Sequence, residues 1–208
     1  MTLTEINSQL GRAGSDKGDG WHQFNGVTYL DVYQKAFSPM AECRIKLLEI
    51  GVLNGGSLRM WREFFPKADI IGLDIDPQAL GRQPKGCAVI IGDQSDAAFV
   101  KQVSDERGPF DIVVDDGSHV ATHAMASFEA LWPSMPSGAI YAIEDTGMFY
   151  VEKLDTCPGM ALNKPGWKSV RRAEFDPWLL GKIQMLDGRG GDIQRIEIHC
   201  MQILFFKA

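Results

Sequence analysis

Leu48-Glu49-Ile50-Gly51-Val52-Leu53-Asn54-Gly55-Gly56-Ser57-Leu58-Arg59-Met60-Trp61-Arg62-Glu63-Phe64-Phe65-Pro66 is the stretch on which the fold turns. It opens inside a short apolar run, residues 45–50 (IKLLEI), that stops at a glycine and so predicts a buried strand. Beyond the glycines, residues 57–65 set Leu58, Trp61, Phe64 and Phe65 at helical spacing, and Pro66 closes the helix. Strand, tight turn and helix together make the repeating unit of an open α/β sheet.

The alternation continues outward. Residues 70–75 (IIGLDI) and 88–91 (AVII) predict the second and third strands, and 97–103 a helix. Residues 110–114 (FDIVV) predict the fourth strand, 119–131 a helix closed by Pro133, and 139–143 (AIYAI) the fifth strand. Residues 193–199 and 201–206 predict a terminal antiparallel pair. The first 40 residues are Gly- and polar-rich and end in a helical patch at Tyr29, Val32, Tyr33 and Phe37. Segment 146–191 is expected to be loop-rich, with Pro158, Pro165 and Pro177 breaking any long helix. The predicted fold class is α/β, a doubly wound Rossmann-like sheet, mostly parallel with a terminal antiparallel strand.

Composition narrows the function. At 208 residues the chain has room for one domain with a real core. A formal net charge of −6 argues against a sequence-independent nucleic-acid binder. No apolar run approaches the ~20 residues that span a bilayer, and MTLTEINSQLG has no apolar signal core. No membrane partner is therefore expected. Cys43, Cys87, Cys157 and Cys200 are scattered without a CxxC pair, as expected of reduced, mostly buried thiols in a cytoplasmic protein.

Parallel sheets bind ligands in the crevice beyond the carboxyl ends of their strands. At the five predicted ends the sequence reads GVLNGGS, DPQ, GDQSD, DDGSH and EDT, all rich in Gly, Asp or Glu. The first turn, with Gly51, Asn54, Gly55 and Ser57, allows close backbone approach and ends at a helix N-terminus. It is neither GxGxxG nor a Walker loop, which favours a nucleoside site over a pyrophosphate cradle. Asp74 can take both hydroxyls of a ribose. Asp93, with Gln94 and Ser95 beside it, can accept from an adenine amino group, and each could instead serve as a turn or cap residue.

Asp115, Asp116, Glu144 and Asp145 crowd adjacent strand ends, an arrangement that repels itself unless a cation or protons neutralise it. Hard oxygens suit Mg²⁺, Mn²⁺ or Ca²⁺ better than zinc. Asp116 could alternatively cap the helix expected near His119. His119, three residues after Asp116, is the candidate general base, whereas His123 is expected to be structural and His22 and His199 lack comparable context.

LEIGVLNGGSLRMWREFFPKADIIGLDIDP, followed by VVDDGSHVATH and AIYAIEDT, resembles the class I S-adenosylmethionine-dependent methyltransferases. It is most similar to the macrocin O-methyltransferase type, a group that includes proteins called cephalosporin hydroxylases. The early GSDKG with His22 and Tyr29 also resembles that group's N-terminal signature. The resemblance covers most of residues 11–148 and the last strands, but not 149–191.

It implies one methyltransferase domain over residues 1–208, with 1–40 as an N-terminal helical cap or lid and 146–191 as an acceptor-side insertion. A chain of this length would lack the large N-terminal auxiliary domain of some relatives. The cofactors implied are S-adenosyl-L-methionine and Mg²⁺ or another divalent cation. Gly51, Asn54, Gly55, Ser57, Asp74, Asp93, Gln94 and Asp115 would line the cofactor. Asp116, Glu144 and Asp145 would hold the metal and His119 would act as base. The implied partners are a small-molecule hydroxyl acceptor, such as a sugar of a natural product, and further copies of the chain in a homo-oligomer. Outside the resemblance, Trp167, Arg171, Arg172, Phe175 and Trp178 would suit a sugar or planar anionic acceptor, although tryptophan at loose helical spacing is more often packing. Two other classes stand beside this one: a metal-dependent oxygenase using Asp116, His119 and His123, and a non-catalytic cofactor-binding protein of the same fold.

Overall fold

A computed structural model describes residues 1–150, 172–187 and 191–208. In chain order the elements are α1 (Leu3–Leu10), β1 (Gln23–Phe24), β2 (Val27–Thr28), α2 (Tyr29–Phe37), β3 (Lys46–Ile50), α3 (Gly56–Phe64), β4 (Asp69–Asp74) and β5 (Cys87–Ile91). There follow α4 (Ala97–Arg107), β6 (Ile112–Asp115), α5 (Ala121–Leu131), β7 (Ile140–Ile143), α6 (Arg172–Asp187), β8 (Ile193–His199) and β9 (Gln202–Lys207). The two N-terminal helices begin at capping boxes, Thr2 with Glu5 and Thr28 with Asp31, where side chain and backbone satisfy each other's donors.

The seven-stranded sheet runs β5-β4-β3-β6-β7-β9-β8. Strands β3 to β7 pair in parallel, and β9 and β8 close the sheet antiparallel. The order reverses between β3 and β6, which opens the ligand crevice at their carboxyl ends. In register, Ile50 lies beside Asp115 and Asp115 beside Ile143, so the loops carrying Gly51, Asp116 and Glu144 leave three adjacent strands at one level.

Period-two alternation distributes the core over both faces. Leu47 joins the layer of α1, α2 and α3, built around Tyr33, Phe37, Trp61 and Phe65, whereas Leu48 and Ile50 join the layer of α4, α5 and α6. Glu49 alternates back under α3, where it is fully buried.

Three expectations are corrected. Helix α6 runs through Pro177 instead of breaking there. Phe175 is buried against Phe149 at 4.8 Å and Trp178 packs edge-on to Phe128 at 5.1 Å. That aromatic burial offsets the ~3 kcal/mol an interior proline costs a helix. Asp116 does not cap α5, whose N-cap is Val120 without a side-chain bond. Of the described cysteines only Cys87 is buried, while Cys43 and Cys200 sit exposed in connecting turns. Among the described residues no helix is long and apolar enough to cross a membrane.

Candidate functional site

The β3–α3 turn is built by close backbone packing. Gly51 has φ +94°, and a Cβ there would lie 2.1 Å from the Asp116 carbonyl oxygen. Gly55, the N-cap of α3, has φ +74°, and its Cβ would lie 2.6 Å from the Arg82 carbonyl oxygen. Both glycines thus admit neighbouring chain as well as a left-handed backbone. Asn54 Oδ1 accepts from the Gly56 N–H at 2.9 Å, and the Ser57 hydroxyl turns inward to donate to Glu49 at 2.6 Å. Asp74 Oδ2 accepts from the N–H groups of Val52 and Leu53 at 2.8 and 3.1 Å, so the second strand end clamps the first turn.

At the third strand end Asp93 is exposed and accepts from the Ser95 N–H at 2.8 Å, a bond that lowers its carboxyl pKa. Gln94 is buried instead. It donates to Asp115 at 2.9 Å and accepts from the Ser118 N–H at 2.6 Å, tying the β5 and β6 loops together. Asp115 also accepts from the Tyr141 hydroxyl at 3.3 Å, and burial pushes its carboxyl up to about 6.

Around the last two strand ends the N-terminal segment supplies partners that carboxylate spacing alone did not reveal. The Lys17 ammonium donates to Asp116 and, at 2.9 Å, to Glu144, and lies 3.7 Å from Glu49. The Tyr33 hydroxyl donates to the other Glu144 oxygen at 2.6 Å, and the Tyr29 hydroxyl to Asp145 at 2.8 Å. Burial and the nearby Asp116 charge push the Glu144 carboxyl well up. Burial alone would depress Lys17, but Asp116, Glu144 and Glu49 hold it above its ordinary value. The usable signals were GSDKG and the four-residue spacing of Tyr29 and Tyr33 on α2.

His119 and Asp145 both occupy left-handed backbone, each with φ +53°. Such outliers cluster where a loop must aim a side chain. Here they bring His119 Nε2 to 3.7 Å from Asp145 Oδ2. Asp116, His119 and Asp145 offer ligand atoms within 4.8 Å of one another, while both Glu144 oxygens are occupied by Lys17 and Tyr33. The donor set, two hard carboxylates and an imidazole, fits a divalent cation. His22 belongs here after all. Its Nδ1 bonds the Asp16 carbonyl and Asp19 at 2.9 Å each, and its Nε2 lies 4.0 Å from Asp145. His123 instead bonds Ser118 at 3.0 Å and stands outside the group, so the Asp116, His119 and His123 set of the oxygenase reading is not assembled. Trp167 and Arg171 lie outside the described residues.

The sheet order, parallel with two terminal antiparallel strands, is that of a Rossmann-like methyltransferase fold. Residues 48–146 match the family described as a methyltransferase domain. Over those residues the chain carries a methyltransferase domain, and it is similar to sugar O-methyltransferases of natural-product pathways. It is 38% identical over 177 residues to the 8-demethyl-8-(2-methoxy-alpha-L-rhamnosyl)-tetracenomycin-C 3'-O-methyltransferase of Streptomyces olivaceus, covering 82% of this chain and 41% of that protein. It is 42% identical over 125 residues to the mycinamicin VI 2''-O-methyltransferase of Micromonospora griseorubida, covering 57% of this chain and 31% of that one. A solved methyltransferase of the mycinamycin pathway, in complex with Mg, SAH and mycinamycin VI, superposes with a TM-score of 0.77 at 30% identity, covering all of this chain and 54% of that one. The chain thus spans about half the length, or less, of these relatives.

Proposed function

We propose that this chain transfers a methyl group from S-adenosylmethionine to a hydroxyl of a small molecule, a sugar of a natural product, with a divalent cation and His119 as base. The observation that carries the reading is the convergence of Asp116, His119 and Asp145 at the mouth of a nucleoside-type crevice. The sugar O-methyltransferase names of the relatives, and the Mg and SAH in the mycinamycin-pathway enzyme, support it.

Asp74 would receive the ribose hydroxyls, Asp93 the adenine amino group, and the Gly51–Gly55 turn the methionine end, with Asn54 and Ser57 shaping that turn. Gln94 and Asp115 would brace the adenine side. Asp116 and Asp145 would hold the cation, with Glu144 joining them or orienting Asp116 through Lys17. When bound, the sulfonium supplies the methyl carbon and the divalent ion lowers the pKa of the acceptor hydroxyl. His119 would take the hydroxyl proton as the oxygen bonds to the methyl carbon and the carbon–sulfur bond breaks. An aliphatic hydroxyl is a far weaker acid than an imidazolium, so base and cation belong together. Residues 1–40 would act as the cap, 146–191 would grip the acceptor, and the active form would be a homo-oligomer.

Transfer of a labelled methyl group from S-adenosylmethionine to rhamnosylated tetracenomycin- and macrolide-type glycosides tests this reading. Label on the sugar, abolished by EDTA, is expected; label on none of them, with or without Mg²⁺, would overturn it.

A further inference from the structure

Lysines ordinarily keep their ammonium in water while burying the stem. Lys17 does not: it is 1% exposed, and its ammonium is spent on Asp116, Glu144 and Glu49. The residues around it are arranged to deliver it there. Asn7 of α1 clamps Ser15 from both sides, donating to its carbonyl at 2.8 Å and accepting from its N–H at 2.7 Å. The Ser15 hydroxyl in turn accepts from the Lys17 N–H at 3.2 Å. A Cβ at Gly14 would lie 2.4 Å from Asn7 Oδ1, and one at Gly18 would lie 2.7 Å from Leu30 Cδ1. The glycines of GSDKG are therefore places where the turn meets α1 and α2, and its lysine is the side chain carried to the sheet.

We propose that Lys17 is a positioning residue, the built-in cation of the carboxylate cluster. It orients Asp116 and Glu144, neutralises part of their charge independently of a divalent ion, and connects them to Glu49 beneath the β3–α3 turn. The electrostatic argument is direct. Glu49, Asp116, Glu144 and Asp145 converge from three neighbouring strand ends. Burying carboxylates without a counter-charge is costly, and removing one partner of a buried pair costs far more than removing an exposed one. One lysine carried in from the N-terminal segment leaves the remaining charge for a divalent ion and a sulfonium to balance. The role in turnover rests on the methyltransferase reading; the charge balance rests on these contacts alone.

The test compares wild type, Lys17→Met and Lys17→Arg by thermal unfolding in EDTA and in millimolar Mg²⁺. Lys17→Met should unfold roughly 6 °C or more below wild type in EDTA. Mg²⁺ should restore part of that loss, so the Mg²⁺-induced shift is larger in Lys17→Met than in wild type, while Lys17→Arg stays near wild type in both buffers. An equal Mg²⁺ shift in wild type and Lys17→Met would overturn the proposal, because a lysine that merely packs would cost the same in either buffer. So would failure of Lys17→Met to fold with Mg²⁺ present, or Lys17→Met as stable as wild type in EDTA. S-adenosylhomocysteine titrated into wild type alongside reads the methyltransferase assignment separately, so loss of one conclusion is distinguishable from loss of the other.

Discussion

Gly51→Ala is the substitution whose consequences the structure fixes most closely. A Cβ at this position would meet the Asp116 carbonyl oxygen at 2.1 Å, its carbonyl carbon at 2.8 Å and Gly117 Cα at 3.1 Å. All three are backbone atoms, so no side chain can swing aside. Restoring an ordinary carbon–oxygen contact of ~3.3 Å moves the Asp116 loop by roughly 1 Å. The φ of +94° adds ~1–2 kcal/mol for a non-glycine residue, and the forced shift ~1–3 kcal/mol. Together they amount to ~2–5 kcal/mol, or a fall in Tm of roughly 5–15 °C for a domain of this size. Because Asp116 and His119 travel on the displaced loop, a ~1 Å error should also reduce Mg²⁺-supported methyl transfer by ~100-fold. Circular-dichroism melting and a single-turnover methyl-transfer assay read the two effects. Gly81→Ala, where a Cβ meets nothing within 4 Å, is the control and should be nearly silent. A Gly51→Ala protein melting with wild type and turning over normally would refute the argument that this glycine sets the spacing of the two loops.

The remaining predictions concern individual side chains. His119→Ala should leave S-adenosylhomocysteine affinity intact and cut turnover by ~10²–10⁴, measured by calorimetry and labelled-methyl transfer; equal losses in both would remove His119 as the base. Asp74→Ala frees the N–H groups of Val52 and Leu53 and should weaken S-adenosylhomocysteine binding at least ~10-fold while leaving the Mg²⁺ response unchanged. Burial pushes the Glu49 carboxyl up to about 7 against the opposing charge of Lys17, so the folded state binds a proton there that the unfolded chain releases near 4.5. The stability this group lends is complete below pH 4.5 and is lost as pH rises to 7, a swing of ~3 kcal/mol at most. Glu49→Gln should flatten that part of the curve in denaturant titrations between pH 4.5 and 7; an unchanged slope would show that Glu49 is already ionised.

What the sequence disclosed and what it hid divide along physical lines. Each strand of the parallel sheet is a short apolar run stopped by Gly, Asp or Glu, so the crevice and its acidic rim at Asp74, Asp116, Glu144 and Asp145 follow from pattern alone. Helix α6 was hidden because its helicity depends on Phe175 and Trp178 reaching Phe149 and Phe128, contacts between segments far apart in the chain, which overrule a local proline. Lys17 lies 99 residues from Asp116 and 127 from Glu144, so no spacing rule joins them. Gln94 and Ser57, expected at the ligand, spend their polar groups on Asp115 and Glu49 instead. Left-handed backbone at His119 and Asp145 has no sequence signature either, since neither residue is glycine.

The central claim is a nucleoside cofactor and a divalent ion seated side by side over the ends of β3, β6 and β7. Calorimetric titration of the purified chain with S-adenosylhomocysteine, in Mg²⁺ and in EDTA, tests it most directly. The account predicts micromolar binding that survives Asp116→Ala and is lost with Asp74→Ala. Absence of binding in both buffers, from a protein that is folded by circular dichroism, would contradict it.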